Sequence, residues 1–130
     1  MKRERVSVMV RAAAMEARDF LESIRDGVGA YRIESWPQVI PDRLARRVGD
    51  VVASLRVEQR TSVGFLDPVE DALYMTAGLR RLGFPASFHL GRETVPTTPP
   101  AGFYAWVECD GEVVSTSLPV KETYLEVYRA

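Results

Sequence analysis

Apolar residues recur at helical spacing early in the chain: Met9, Ala13, Phe20 and Ile24, with Arg18, Asp19, Glu22 and Arg25 on the other side. This pattern predicts a helix over residues 6–26, stopped by Gly27 and Gly29. A connector over 30–40 contains Trp36-Pro37. Leu44, Val48, Val51, Val52 and Leu55 form a second stripe, so a second helix is expected over 41–60. It would carry Pro41 at an early helical position and Arg43, Arg46 and Arg47 on a solvated face. Asp67-Pro68-Val69-Glu70 opens a third helix, over 68–82. Asp67 suits the N-cap, Pro68 the first helical position, and Glu70 the returning carboxylate of a capping box. Asp71 adds charge that complements the helix dipole.

Beyond Gly83 the period changes from that of a helix to that of a strand. Strands are expected near 86–90, 102–109 and 112–117, the last two joined by an Asp110-Gly111 turn. Thr94–Pro100 reads as a loop, Gly91, Gly102 and Gly111 as turn residues, and Thr123–Tyr128 as a strand or a short helix. Helices first and an antiparallel sheet after them predict an α+β domain spanning 1–130, with a helical part over 1–60 and a helix-plus-sheet core over 67–130.

Composition narrows the functional classes. The chain has 130 residues, 46% of them hydrophobic and 27% charged, enough for one packed core and unlike a disordered sequence. The net charge of −1 gives no global field for nucleic acid or an anionic membrane. Charge is uneven all the same: residues 1–60 carry 12 Lys+Arg and 9 Asp+Glu, a net of +3, and residues 61–130 a net of −4. Two solvated faces account for this, and an Arg-bearing surface that meets an acidic partner is the alternative. Cys109 is the single cysteine, so no disulfide can form within the chain, which suits a reducing cytoplasm. No apolar run reaches the ~18 residues of a membrane span, and Arg11 interrupts the run that would serve as a signal peptide. The excess of arginine over lysine points to a GC-rich bacterial genome.

Two motifs carry a family resemblance. Gly78-Leu79-Arg80-Arg81-Leu82-Gly83-Phe84-Pro85-Ala86 closes the third helix, and Tyr104-Ala105-Trp106-Val107-Glu108 lies on the second strand. Together they resemble the core of the transglutaminase-like cysteine peptidases that remove leader peptides in lasso-peptide biosynthesis. The resemblance covers residues 48–130 and is best over 72–112. It implies a cysteine at the start of the third helix, where the dipole favours thiolate, a histidine base on an adjacent strand, and an aspartate on the next strand to orient it. Here the nucleophile would fall near Pro68, where Leu66, Asp67, Pro68 and Val69 offer no thiol or hydroxyl. The histidine position is Tyr104, and the aspartate falls at Ser115 or Thr116.

Other residues do not restore the chemistry. Cys109 lies an odd number of positions from Tyr104, so a strand places them on opposite faces and a buried or turn-edge thiol is expected. His89 is the only histidine, expected half-exposed and structural, on the face of Ser87. One cysteine and one histidine cannot build a zinc site, and neither metal nor cofactor is expected.

The candidate site consists of Tyr104, Thr116 and Asp67 as catalytic groups, with Trp106, Ser115, Glu108 and Glu70 around the substrate. A protonated tyrosine hydroxyl can donate to a developing oxyanion, and tryptophan offers a stacking face. Tyr104 can equally fill the space of the lost histidine, and Asp67, Glu70 and Asp71 can be helix caps alone. Two functions follow. One is a repurposed, cofactor-free cyclase or isomerase of a bacterial natural-product pathway, acting on a small-molecule or peptide intermediate. The other is a non-catalytic peptide-binding or enzyme-docking partner in peptide maturation. A closed pocket around Tyr104 would favour the first, and an exposed sheet edge or apolar groove the second.

Overall fold

The computed structural model describes residues 2–95 and 102–130. The expected loop over 94–100 lies outside the described residues from 96 onward. Three long helices come first: α1 (Lys2–Ile24), α2 (Val48–Ser62) and α3 (Pro68–Arg81). Four strands follow: β1 (Ala86–Glu93), β2 (Phe103–Cys109), β3 (Glu112–Val113) and β4 (Tyr124–Arg129), the last preceded by a single helical turn, α4 (Val120–Thr123). The strands form one antiparallel sheet in the order β3-β2-β1-β4. This is the expected α+β arrangement, with α3 packed on β1 and β2.

The α3 helix is buried along most of its length, from Ala72 through Leu79. Small residues let its neighbours approach: Ala13, Ala14 and Ala17 of α1 are buried, and a Cβ at Gly78 would lie 3.1 Å from Leu55 of α2 and 3.7 Å from Ala17. Leu21, Leu55, Leu73 and Leu79 fill the interior between the helices, each contributing roughly 1.5–3 kcal/mol by leaving water. Phe88, Ala105, Val107 and Cys109 extend the same core from the sheet. Cys109 is buried, as expected.

Both ends of α3 are tied down. Asp67 accepts a hydrogen bond from the Glu70 backbone N–H at 2.8 Å, so the N-cap is as expected. The capping box is not completed, because the Glu70 carboxylate takes Arg25, just beyond the end of α1, instead, at 3.0 Å. At the other end the chain over 40–44 runs alongside, with Ile40 N–H bonded to the Arg80 carbonyl and Leu44 N–H to that of Leu82. These bonds explain why α2 begins at Val48 rather than at 41. The preceding residues are used to satisfy carbonyls that the end of α3 leaves open. Gly83 has φ of 87°, and a Cβ there would sit 2.4 Å from the Arg43 Cα.

Three expectations about the sheet change. The strand expected over 112–117 ends at Val113, because the Ser115 hydroxyl leaves the ladder and accepts from the Val107 N–H at 2.9 Å. The segment 123–128 is both things considered, helical to Thr123 and extended from Tyr124. Gly91 is not a turn residue but the middle of β1, where a Cβ would lie 2.8 Å from the Trp106 ring and 2.7 Å from the Tyr124 Cβ. The Asp110-Gly111 turn holds, with φ of 53° and 82°, as a tight hairpin requires.

Candidate functional site

The candidate residues do not meet in one place. Tyr104 and Ser115 share a recess of about 320 Å³ with Leu66, Pro68 and Asp71 at the start of α3, and with Arg56 and Gln59 of α2. Helix start, second strand and following segment therefore converge there. The polar centre of the recess is Arg56, which donates to the Asp71 carboxylate and to the Ser115 carbonyl, both at 2.9 Å. One guanidinium thus ties α2 to α3 and to the chain that leaves β3. The Tyr104 ring stacks on Tyr124, with centroids 5.3 Å apart.

Five of the candidates stand elsewhere. Asp67 is occupied in capping and Glu70 in its pair with Arg25. The Thr116 hydroxyl accepts from the Leu118 N–H at 3.2 Å and lines no recess with Tyr104. Trp106 is 1% exposed and, with Glu108, faces a second recess on the side of the sheet away from the helices.

This second recess, of about 360 Å³, is lined by His89, Glu108, Lys121, Glu126 and Arg129 together with Trp106, Tyr124 and Leu125. His89 is not half-exposed but buried, at 4%. Its ring stacks nearly parallel on Trp106, its register partner across β1 and β2. The Nε2 atom lies 2.7 Å from the Ser87 hydroxyl and 3.5 Å from a Glu108 oxygen. The Nδ1 atom bonds the Glu126 carboxylate of β4. Glu108 also accepts from the Trp106 indole N–H at 2.9 Å and pairs with Lys121 at 3.3 Å, while Arg129 pairs with Glu126 at 2.7 Å. The shared face of Ser87 and His89 was legible from strand alternation. The approach of Glu126 was not, because it depends on which edge β4 joins.

Electrostatics follow from these contacts. Burial works to raise the Glu108 carboxyl, but the Trp106 N–H, His89 and Lys121 outweigh it and hold the group below the usual carboxylate range. Glu126 is likewise lowered, burial being outweighed by Arg129 and His89. Burial, then the neighbouring Asp110 carboxylate, pushes the Cys109 thiol up, opposite to what a nucleophile needs.

His89, Glu108 and Glu126 bring three possible metal-ligating atoms within 4.8 Å of one another. Each carboxylate already carries a cation, Lys121 or Arg129, and both imidazole nitrogens have partners. A metal would have to displace these pairs, so the donor set does not fit a resident ion.

A helix whose start meets the second strand of an antiparallel sheet defines a helix-on-sheet α+β protein, with the transglutaminase-like site expected at that junction. The family model of the transglutaminase-like superfamily matches residues 8–129, and the chain belongs to that superfamily. No curated protein and no solved structure matches it. Among the described residues, no helix is long and apolar enough to cross a membrane.

Proposed function

We propose that this chain is a transglutaminase-like protein that binds a peptide and does not cut it by thiol chemistry. The observation that favours this is the β4 edge. Among the described residues β4 is the last strand of the sheet, and Leu125, Val127 and Tyr128 along it are 54, 49 and 45% exposed. An edge strand that carries exposed apolar side chains suits an extended peptide added as a further strand. Peptide maturation in natural-product biosynthesis is the setting that the resemblance implies. The cyclase or isomerase reading draws support from the recess shared by Tyr104 and Ser115, but Trp106 and Thr116, which that reading needs, do not join them.

Selection from a displayed peptide library, followed by hydrogen exchange, tests the proposal. Selected peptides should slow exchange of the β4 amides and bind at least about tenfold more weakly to Val127→Lys, since charge on an edge opposes strand addition. Peptides that protect amides elsewhere, or a chain that seals β4 by dimerising, would refute it. Cys109 should stay unlabelled by a thiol-directed peptidase probe at neutral pH, and turnover of a leader peptide that vanishes in Cys109→Ser would sink the non-thiol part.

A further inference from the structure

We propose that Ser87, His89 and Glu126 form an acyl-transfer site of the serine-hydrolase kind on the open face of the sheet. The inference is independent of peptide binding at the β4 edge. It starts from the tautomer of His89. A Glu126 carboxylate can only accept, so Nδ1 carries the proton, and in the neutral ring Nε2 is left as an acceptor. The group placed at Nε2 is a hydroxyl, that of Ser87, at 2.7 Å. Nucleophile, base and orienting carboxylate are then joined in series, in the order that a hydroxyl nucleophile requires.

The surroundings suit the charge that such a step creates. When His89 takes the serine proton, the imidazolium lies between Glu126 and Glu108, the latter 3.5 Å from Nε2, and its face rests on Trp106. Lys121 and Arg129 neutralise the two carboxylates when the ring is neutral. The positions are held rigidly. Ser87 and His89 sit two apart on a central strand, Trp106 is locked by the close approach at Gly91, and β4 carries Glu126 into place by its pairing with β1. Ser87 itself is half-buried; it does not line the recess, and its hydroxyl, which also lies 3.4 Å from the Glu108 carbonyl, meets the recess through His89.

The substrate class is a small activated carboxylic ester, seated against the Trp106 and Tyr124 rings. Ser87 Oγ attacks the acyl carbon and its proton passes to His89 Nε2. The bond from that carbon to the leaving alcohol breaks as the proton is delivered to the alcohol oxygen. Water then repeats the sequence: its oxygen bonds to the acyl carbon as His89 takes its proton, and the bond from that carbon to Ser87 Oγ breaks as the proton passes to Oγ, which releases the carboxylic acid. Glu126 is a positioning residue, since it touches only the imidazole.

Incubation of the full chain with a fluorophosphonate, followed by peptide mass mapping, tests this. An adduct on Ser87 is expected, absent in Ser87→Ala and forming about a hundredfold more slowly in Glu126→Gln, the scale of a general base that has lost its orientation. Glu126→Asp should recover part of the rate, which a change of fold stability alone would not give. Ser87→Ala takes one hydrogen bond from the buried His89 and should lower the thermal midpoint by no more than several degrees, so loss of labelling in a chain still folded at the assay temperature reports the hydroxyl. Labelling of another residue, no labelling of the wild-type chain, or equal rates in Glu126→Gln and wild type would each overturn the proposal.

Discussion

The recess at the start of α3 and the recess on the open face of the sheet hold their polar groups by opposite means. In the first, Arg56 is a cross-link: it fastens Asp71 and the Ser115 carbonyl to α2 and leaves the Tyr104 ring at the side, stacked on Tyr124. In the second, a buried imidazole lies between two carboxylates and against a hydroxyl, with cations outside. The first keeps the place where the resemblance sets a thiol, a base and an orienting acid. The second keeps a hydroxyl, a base and an acid in a different place. Superfamily membership thus fixes where a helix meets a sheet and leaves open which face carries reactive groups.

Removing the centre of each recess tests that contrast. Trp106→Ala should cost about 3–5 kcal/mol of unfolding free energy, because it empties a buried site and takes the stacking surface from His89 and a donor from Glu108. Arg56→Ala removes a part-buried link and leaves the Asp71 carboxylate and a carbonyl unpaired, for about 1–3 kcal/mol. Urea denaturation of both variants measures the difference. An Arg56→Ala loss equal to that of Trp106→Ala would show that the cross-link is as central to the fold as the sheet network.

Acid separates the recesses more gently. Glu108 and Glu126 have folded-state pKa values below the ordinary 4.5. A carboxylate lowered on folding adds stability that is fully present above its unfolded value and is lost as pH falls through the folded one. Stability should therefore drop below about pH 4.5 as these groups protonate. Glu108→Gln and Glu126→Gln should each flatten that drop while lowering stability at pH 7. Denaturation at pH 7, 5, 4 and 3 gives the curve, and an unchanged acid slope in both variants would place the acid-sensitive contacts elsewhere.

What the sequence made legible was whatever depends on neighbours along the chain. Asp67-Pro68 marks a helix start, Asp110-Gly111 a hairpin, and the alternation of Tyr104, Trp106 and Glu108 a shared strand face. What it hid depends on distant partners. The start of α2 moved because Ile40 and Leu44 bond carbonyls at the end of α3. The third strand stopped because Ser115 spends its hydroxyl on Val107. Trp106 and Tyr104 line different recesses although both rings meet Tyr124: Tyr104 shares one with the start of α3, while Trp106 lies over Gly91. His89 looked ordinary in sequence, since two of its partners, Glu108 and Glu126, come from other strands.

Tyr104→Phe is the smallest change and bears on both recesses. Its hydroxyl has no hydrogen-bond partner among the described residues, and its ring contact with Tyr124 does not need the oxygen. The variant should therefore fold with stability within about 0.5 kcal/mol of wild type, as do surface changes that break no network. Fluorophosphonate labelling at Ser87 should also be unchanged, because Tyr104 lies outside the hydrogen-bonded chain of Ser87, His89 and Glu126. Thermal melting and the labelling rate check the two expectations together. A slower rate at unchanged stability would mean that the aromatic row Tyr104–Tyr124–Trp106 transmits position from one recess to the other, and the two could no longer be treated as separate sites.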